Sequence, residues 1–508
     1  IQGEPGSGKS SLIASFTQQL NEKNALIAQS RADQHSSVIP YGVITAAFRS
    51  LVLPILGLPA SDIERWKGRL VRLLGDFTGL AVYLLPELGP LLNTRAAEPA
   101  DAVTESNRER FNHMVCSLLE AFAVPGAPVV MIIDDIHWAD LASIQLLKTL
   151  LKYSADLPLL VVIGQRDLDS LPCPLAGEEL FALQQPIGSC ERIIPAPLSV
   201  KEVTHWLTTL HQAKTPANAQ LAHIIHQKTG GNPLFAQSFF RQAANEGLIF
   251  YSRQSSRWYF DASSLQARQY TDNVASLVLE QLALMPATTQ HLLARLACIG
   301  ASGNLSLTAK LLEMDADELQ RLLHPAMTAQ LLHQQGEEYQ FTHARVHEAA
   351  FALLSDPEQQ QMHEQIARFL AVCARLTANT QILFRAVHHI SLSVAVLRES
   401  SQWEELLGLS LMAAQRAKAT GDYISALRFL KTAHALNGKQ QQEHDFFISK
   451  EEAQCEFLQG NLTRAQALCH KLMGSSCPLA DKTVIACLLA EIHMRKSAHQ
   501  LALETALA

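Results

Sequence analysis

The chain has 508 residues, which at roughly 150 residues per domain suggests about three domains and is too long for one compact core. Hydrophobic residues make up 48% and charged residues 18%, which excludes a largely disordered chain. Forty-one Lys and Arg against 48 Asp and Glu leave a net charge of −7, so the overall balance carries no footprint for nucleic acid or an anionic membrane.

The nine cysteines are scattered and contain no CxxC pair, as expected of a reducing, cytoplasmic setting. The longest apolar stretches, Leu51–Ala60 and Gly79–Leu92, are broken by prolines and fall short of the roughly 20 residues that cross a bilayer. The chain opens at Ile1, two residues before a glycine-rich loop, and reads as a piece of something longer.

Residues 1–195 alternate glycine-rich turns and short apolar runs with helical patterns, as in an α/β domain with a parallel sheet. Gly3-Glu4-Pro5-Gly6-Ser7-Gly8-Lys9-Ser10 fits the GxxxxGK[ST] loop, and Ser11-Leu12-Ile13-Ala14 opens a helix behind it. Glycines without Cβ let successive backbone N–H groups curl around an anion, and the helix N-terminus adds partial positive charge. Gly3 through Ser11 are therefore the expected nucleotide contacts, with Lys9 reaching the β- and γ-phosphates of ATP and the Ser10 hydroxyl ligating Mg²⁺. An ordinary glycine-rich turn is the alternative, and the helix behind the loop argues against it. Of the strand that should precede the loop, only Ile1 and Gln2 are present.

The loop predicts an aspartate at the end of a buried strand. Val129–Ile133 followed by Asp134-Asp135 supplies it. Asp134 is the expected metal-shell residue and Asp135 the expected general base for an attacking water. Ala139–Lys152 has helical spacing and forms the crossover to a second strand, Leu159–Ile163. That strand ends in Gly164-Gln165-Arg166-Asp167, where Arg166 can sense the γ-phosphate; a surface salt bridge is the alternative.

From residue 196 the strands largely stop. Ser199 and Glu202 form a capping box for a helix, and helical patterns run to Glu246 before Gly247 ends them. Residues 248–262 read as a β-hairpin with a Gln254-Ser255-Ser256 turn. The expected domains are thus 1–195 (P-loop ATPase), 196–270 (small helical), 271–350 (winged-helix-like) and 351–508 (helical repeats). In the last, Gly421-Asp422-Tyr423-Ile424-Ser425-Ala426 recurs as Gly460-Asn461-Leu462-Thr463-Arg464-Ala465, with a weaker echo at Ser497–Ala502, at a period suiting tetratricopeptide-like hairpins. Unrelated amphipathic helices are the alternative.

The phosphate loop, Ile133-Asp134-Asp135-Ile136-His137-Trp138-Ala139-Asp140, Arg166-Asp167 and Gly231-Asn232-Pro233-Leu234-Phe235 together resemble the signal-transduction ATPases with numerous domains, an AAA-like branch similar to origin-recognition ATPases. Ile39-Pro40-Tyr41, Leu85-Pro86-Glu87-Leu88, Arg110-Phe111, Thr271-Asp272-Asn273-Val274 and the run Phe341–Ala350 are similar to the central region of bacterial hybrid proteins. Those proteins carry a serine/threonine kinase before this region and a GAF domain and sensor histidine kinase after it. The resemblance implies that Pro233 packs near the adenine and that His343 faces the nucleotide diphosphate in a closed state. For Pro233 a plain interhelical turn is the alternative. An acidic residue usually follows that histidine, and here Ala344 stands instead, so locking of the closed state should be weaker.

The expected function is an ATP-binding, slowly hydrolysing switch whose repeats take or release a protein partner according to the ATP or ADP state. A transcription regulator with a helix-turn-helix beyond the chain, and a ring-forming motor using Arg108 or Arg110 between subunits, are the alternatives. Few and unclustered Lys and Arg in 271–350 speak against nucleic acid as a partner.

Overall fold

The computed structural model describes residues 1–23, 25–33, 38–96, 106–124, 126–153, 157–166, 190–211, 216–252, 254, 257–267, 279, 281–377, 379–438, 442–474 and 479–507. Three parallel strands, β1 (Leu26–Arg31), β2 (Val129–Asp134) and β3 (Leu159–Ile163), lie side by side in that order. β2 is buried along its whole length, which is why it reads as an unbroken apolar run. Its alternate residues serve two layers: Met131 and Ile133 face the core built by helices Gly42–Ile55, Ala60–Leu74, Ser106–Phe122 and Leu141–Tyr153. Val130 and Ile132 face Ile13 of the helix Lys9–Asn21 on the other side.

β1 was not anticipated from the sequence. Gln29, Ser30 and Arg31 interrupt its apolar pattern, and only Ala28 and Ser30 along it are fully buried. Its register brings Arg31 opposite Asp134, so both strand ends meet at one edge. The two residues ahead of the phosphate loop still join the sheet. Gln2 bridges Gln165 in parallel, with Gln165 N donating to Ile1 O at 3.0 Å. The loop therefore leaves the sheet beside β3, whose far end carries Arg166.

The helix Val200–His211 opens on the expected capping box: Glu202 N donates to Ser199 Oγ at 3.3 Å and Ser199 N donates to the Glu202 carboxylate at 2.7 Å. With helices Pro216–Thr229 and Pro233–Asn245 and the hairpin β4 (Ile249–Ser252) and β5 (Arg257–Phe260), it encloses a core containing Leu207, Ile225, Phe239 and Trp258. Next come helix Ala287–Ile299, β6 (Ser302–Asn304), helices Leu305–Leu312 and Ala316–Thr328, then β7 (Leu332–Gln335) and β8 (Glu338–Phe341). The strands pair in the order β6-β8-β7; the sequence pattern had shown only the strand-like Gln340–Thr342 that falls on β8, and neither β6 nor β7 was expected. The phrase Thr271–Val274, like Asp167, lies outside the described residues.

Beyond Asp356 the described elements are all helices. Three antiparallel pairs follow one another: Trp403–Ala419 with Tyr423–Asn437, Gln442–Gln459 with Leu462–Met473, and Leu479–Arg495 with His499–Leu507. Gly421, Gly460 and Ser497 hold the same place in the three turns, with φ of +82°, +92° and +60°. The faint third echo is thus a true repeat in which serine adopts the glycine conformation. Ala426, Leu430 and Ala433 are buried in the first pair's core, where small side chains let helices approach. Among the described residues no helix is long and apolar enough to cross a membrane.

Candidate functional site

Gly6 and Gly8 hold φ of +82° and +93°, which bends the loop and makes Gly8 the N-cap of the helix Lys9–Asn21. Lys9 is buried, and its ammonium donates to the carbonyls of Gly3 (2.8 Å) and Glu4 (2.9 Å). Desolvation pushes its pKa down, Asp135 and Asp134 push it up, and Arg166 lowers it further. The Ser7 hydroxyl oxygen is buried without a hydrogen-bond partner, an orphan in the middle of the loop.

Ser10 Oγ donates to Asp134 Oδ2 at 2.6 Å, and Asp135 N donates to Asp134 Oδ1 at 3.0 Å. A Cβ at residue 164 would lie 2.2 Å from Asp134 Oδ1, so only Gly164 lets the carboxylate sit at the end of β3. Asp135 holds a left-handed φ of +55°, a costly conformation for a residue with a side chain, and its carboxylate accepts from Arg31 Nε at 3.1 Å. A hydroxyl and a carboxylate in contact, beside a loop with an orphan hydroxyl, make the hard oxygen donor set that Mg²⁺ takes. Lys9 and the helix N-terminus suit a polyphosphate. The residues present fit both groups.

Two remote segments close over the loop. Asn232 caps the helix Pro233–Asn245, accepting from Leu234 N at 3.0 Å, and its amide donates to Pro5 O at 3.2 Å. Leu234 N donates to Gly6 O at 3.4 Å, so the turn containing Pro233 is stapled to the loop. On the other side the helix Ala344–Phe351 brings in His343, Arg345 and Glu348. Burial lowers the His343 pKa, with Arg31 and Arg241 adding to it. Arg345 Nη1 lies 2.7 Å from Glu348 Oε2, and Arg166 Nη2 lies 3.4 Å from Glu348 Oε1.

The result is an open cleft walled by the phosphate loop and these two segments. Pro5, Gly6, Gly8, Lys9, Ser10, Ser11, Asp135, Arg166, Pro233 and His343 all line it. Gly3, Glu4, Ser7 and Asp134 are not among its lining residues; the Gly3 and Glu4 carbonyls accept from Lys9, and Asp134 is joined to the lining through Ser10. Arg31, Leu234, Gln237, Ala344 and Arg345 line it too; Arg31 and Gln237 were not singled out from the sequence, Leu234 and Arg345 stood only within longer phrases, and Ala344 was noted as the departure after His343. Arg31 became visible only once Leu26–Arg31 was recognised as a strand ending beside Asp134. His137 is buried beside this site, and burial, with Arg166 and Lys9, pushes its pKa down to about 3, so the imidazole is neutral. Arg108, a candidate for an intersubunit role, is taken up inside the chain: its guanidinium donates to Gln145, and a Cβ on Gly421 would lie 2.8 Å from its Cβ.

Residues 1–162 match the AAA ATPase domain family. The matched region contains the phosphate loop, Arg31 and the Asp134-Asp135 pair, while Arg166 and the Asn232 and His343 segments lie C-terminal to it. Over 93% of its length the chain is 22% identical to hybrid signal transduction histidine kinase G of Dictyostelium discoideum, covering 17% of that protein. Over 85% it is 24% identical to the peroxide stress-activated histidine kinase mak2 of Schizosaccharomyces pombe, covering 19%. The chain therefore spans under a fifth of the length of these curated relatives. Among solved structures it is similar to a signal-transduction ATPase with a tetratricopeptide repeat sensor from Pyrococcus horikoshii, with 14% identity, TM-score 0.41, and coverage of 100% of this chain and 74% of that one. A Walker-type ATPase of Pyrococcus abyssi gives 13% identity and TM-score 0.32, covering 69% of this chain and 89% of that one.

Proposed function

We propose that this chain is a nucleotide-operated switch, the ATPase part of a longer sensor kinase, in which the ATP or ADP state sets the placement of helical repeats that hold a protein partner. The observation that carries this reading is the cleft itself: one anion-suited pocket is walled by the phosphate loop, the Asn232-Pro233 turn and the His343 segment. A ligand bound there touches all three and favours the arrangement in which its contacts are best.

In this reading Lys9 and Arg166 neutralise charge on the phosphates, and Pro233 flanks the base. Ser10 and Asp134 hold Mg²⁺, which supplies further neutralisation when bound. Asp135 orients a water and takes its proton. Asp135 is paired to Arg31 at 3.1 Å in this arrangement, so it must be released before acting as a base, in keeping with slow turnover.

The test is Mg·ATP hydrolysis by wild type and Asp135→Ala, together with nucleotide affinity. Turnover should fall about 100-fold in the variant with binding retained. Full turnover in Asp135→Ala would remove its base role.

A further inference from the structure

Glu348 is the one acidic side chain that ties the winged-helix-like module to the sheet end of the phosphate cleft among the described ion pairs. Its carboxylate sits between two guanidinium groups, Arg345 one turn before it on its own helix and Arg166 on the ATPase side. Arg166 is largely enclosed, with 12% of its side chain exposed, and its guanidinium carbon lies 6.0 Å from the centre of the Trp138 ring. Arg166 and Arg345 line the same cleft as Lys9 and Ser10, so the cation that Glu348 engages is also one that an anion in the cleft would approach.

The two Glu348 contacts are unequal. The pair with Arg345 is short and local to one helix, at 2.7 Å. The pair with Arg166 is longer, at 3.4 Å, and joins residues 182 positions apart. The longer contact is the one an incoming anion can replace, because Glu348 keeps a partner in Arg345 when Arg166 leaves.

We propose that Glu348 is a specificity-determining residue of this cleft: its carboxylate competes with the terminal phosphate of a nucleoside triphosphate for Arg166, so the closed arrangement favours the diphosphate. This rests on the nucleotide reading given above. A diphosphate leaves the Arg166–Glu348 contact in place. A triphosphate draws Arg166 away, and by linkage loosens the winged-helix-like module from the sheet. The position one turn earlier is Ala344, so Glu348 carries this interaction without a second acid on that face.

The experiment is titration calorimetry of Mg·ADP and of the magnesium complex of the β,γ-imido analogue of ATP, on wild type, Glu348→Gln, Arg166→Ala and the double variant. Glu348→Gln keeps size and loses charge. It should tighten the triphosphate analogue about tenfold while ADP affinity changes less than about twofold, and it should have no effect on the ratio in the Arg166→Ala background. An unchanged ratio, or a parallel loss of both affinities, overturns the inference and leaves the nucleotide reading standing. Absence of binding by folded wild type overturns both.

Discussion

The phosphate-loop domain meets the rest of the chain in two very different ways. At the cleft, the contact with the winged-helix-like module consists of partly exposed ion pairs, Arg166–Glu348–Arg345, around space a ligand can enter. At the first repeat the contact is made largely by buried groups. Tyr41 donates through its hydroxyl to Thr420 O at 3.0 Å, Arg428 donates to Val38 O at 2.8 Å, and Val38 belongs to the repeat core itself. Gly421 presses its bare Cα against Arg108. A carboxylate held by two guanidinium groups beside open space can give up one partner and keep the other, whereas buried hydrogen bonds and close backbone contact are lost outright. In the proposed switch the first contact is the one that moves and the second the one that anchors.

The sharpest way to break this contrast is Gly421→Val. The left-handed φ of +82° and the clash with Arg108 should together cost about 3 kcal/mol of folding stability, read by denaturant unfolding. At the cleft, Glu348→Gln should cost under about 1 kcal/mol. Equal losses would erase the distinction between anchor and moving contact.

The anchor also carries a pH effect. Asp140 is buried and accepts from Ser143 N at 2.8 Å and Tyr41 N at 3.0 Å. Burial pushes its pKa from 3.8 up to about 7, against the Ser143 hydroxyl, with Asp422 raising it further. Burial likewise raises Asp422, against its Ser425 hydrogen bonds and the nearby Arg428 and Arg108. The unfolded chain releases the Asp140 proton first, so between about pH 4 and 7 the folded state binds more protons. Stability from this group is therefore greatest at the acid end and falls as pH rises towards 7. Asp140→Asn should flatten that part of the pH–stability profile; an unchanged slope contradicts the assignment.

Smaller still are the repeat turns. Gly460 shares the conformation of Gly421 but a Cβ there meets nothing within 4 Å, so Gly460→Ala should cost only about 1 kcal/mol. Ser497→Gly should shift stability by no more than about 0.5 kcal/mol, strain relief being offset by backbone entropy. A large loss in either would show that those turns are anchored as the first one is.

What was legible beforehand divides along the same line. Local signals read well: the glycine-rich loop and its helix, the apolar strand ending in Asp134-Asp135, the Ser199–Glu202 box, the paired hairpin strands and the repeated glycine phrase are all short-range chemistry. β1 and Arg31 did not, because a strand whose last residues are polar has no distinct period. The partners of Arg166 and Arg108 depend on segments far away in the chain, Glu348 and Gly421, which no spacing rule connects. Asn232 was noted only as part of a turn, although an asparagine before Pro233 is a helix N-cap signature; its second bond, to Pro5, required the fold.

The central claim is that the cleft binds a magnesium nucleotide through the phosphate loop. Calorimetric titration of the folded wild type and of Lys9→Ala with Mg·ADP tests it most directly. The account predicts saturable one-site binding by wild type and a loss of about 100-fold or more on removing the lysine charge; unaltered affinity in Lys9→Ala would contradict it.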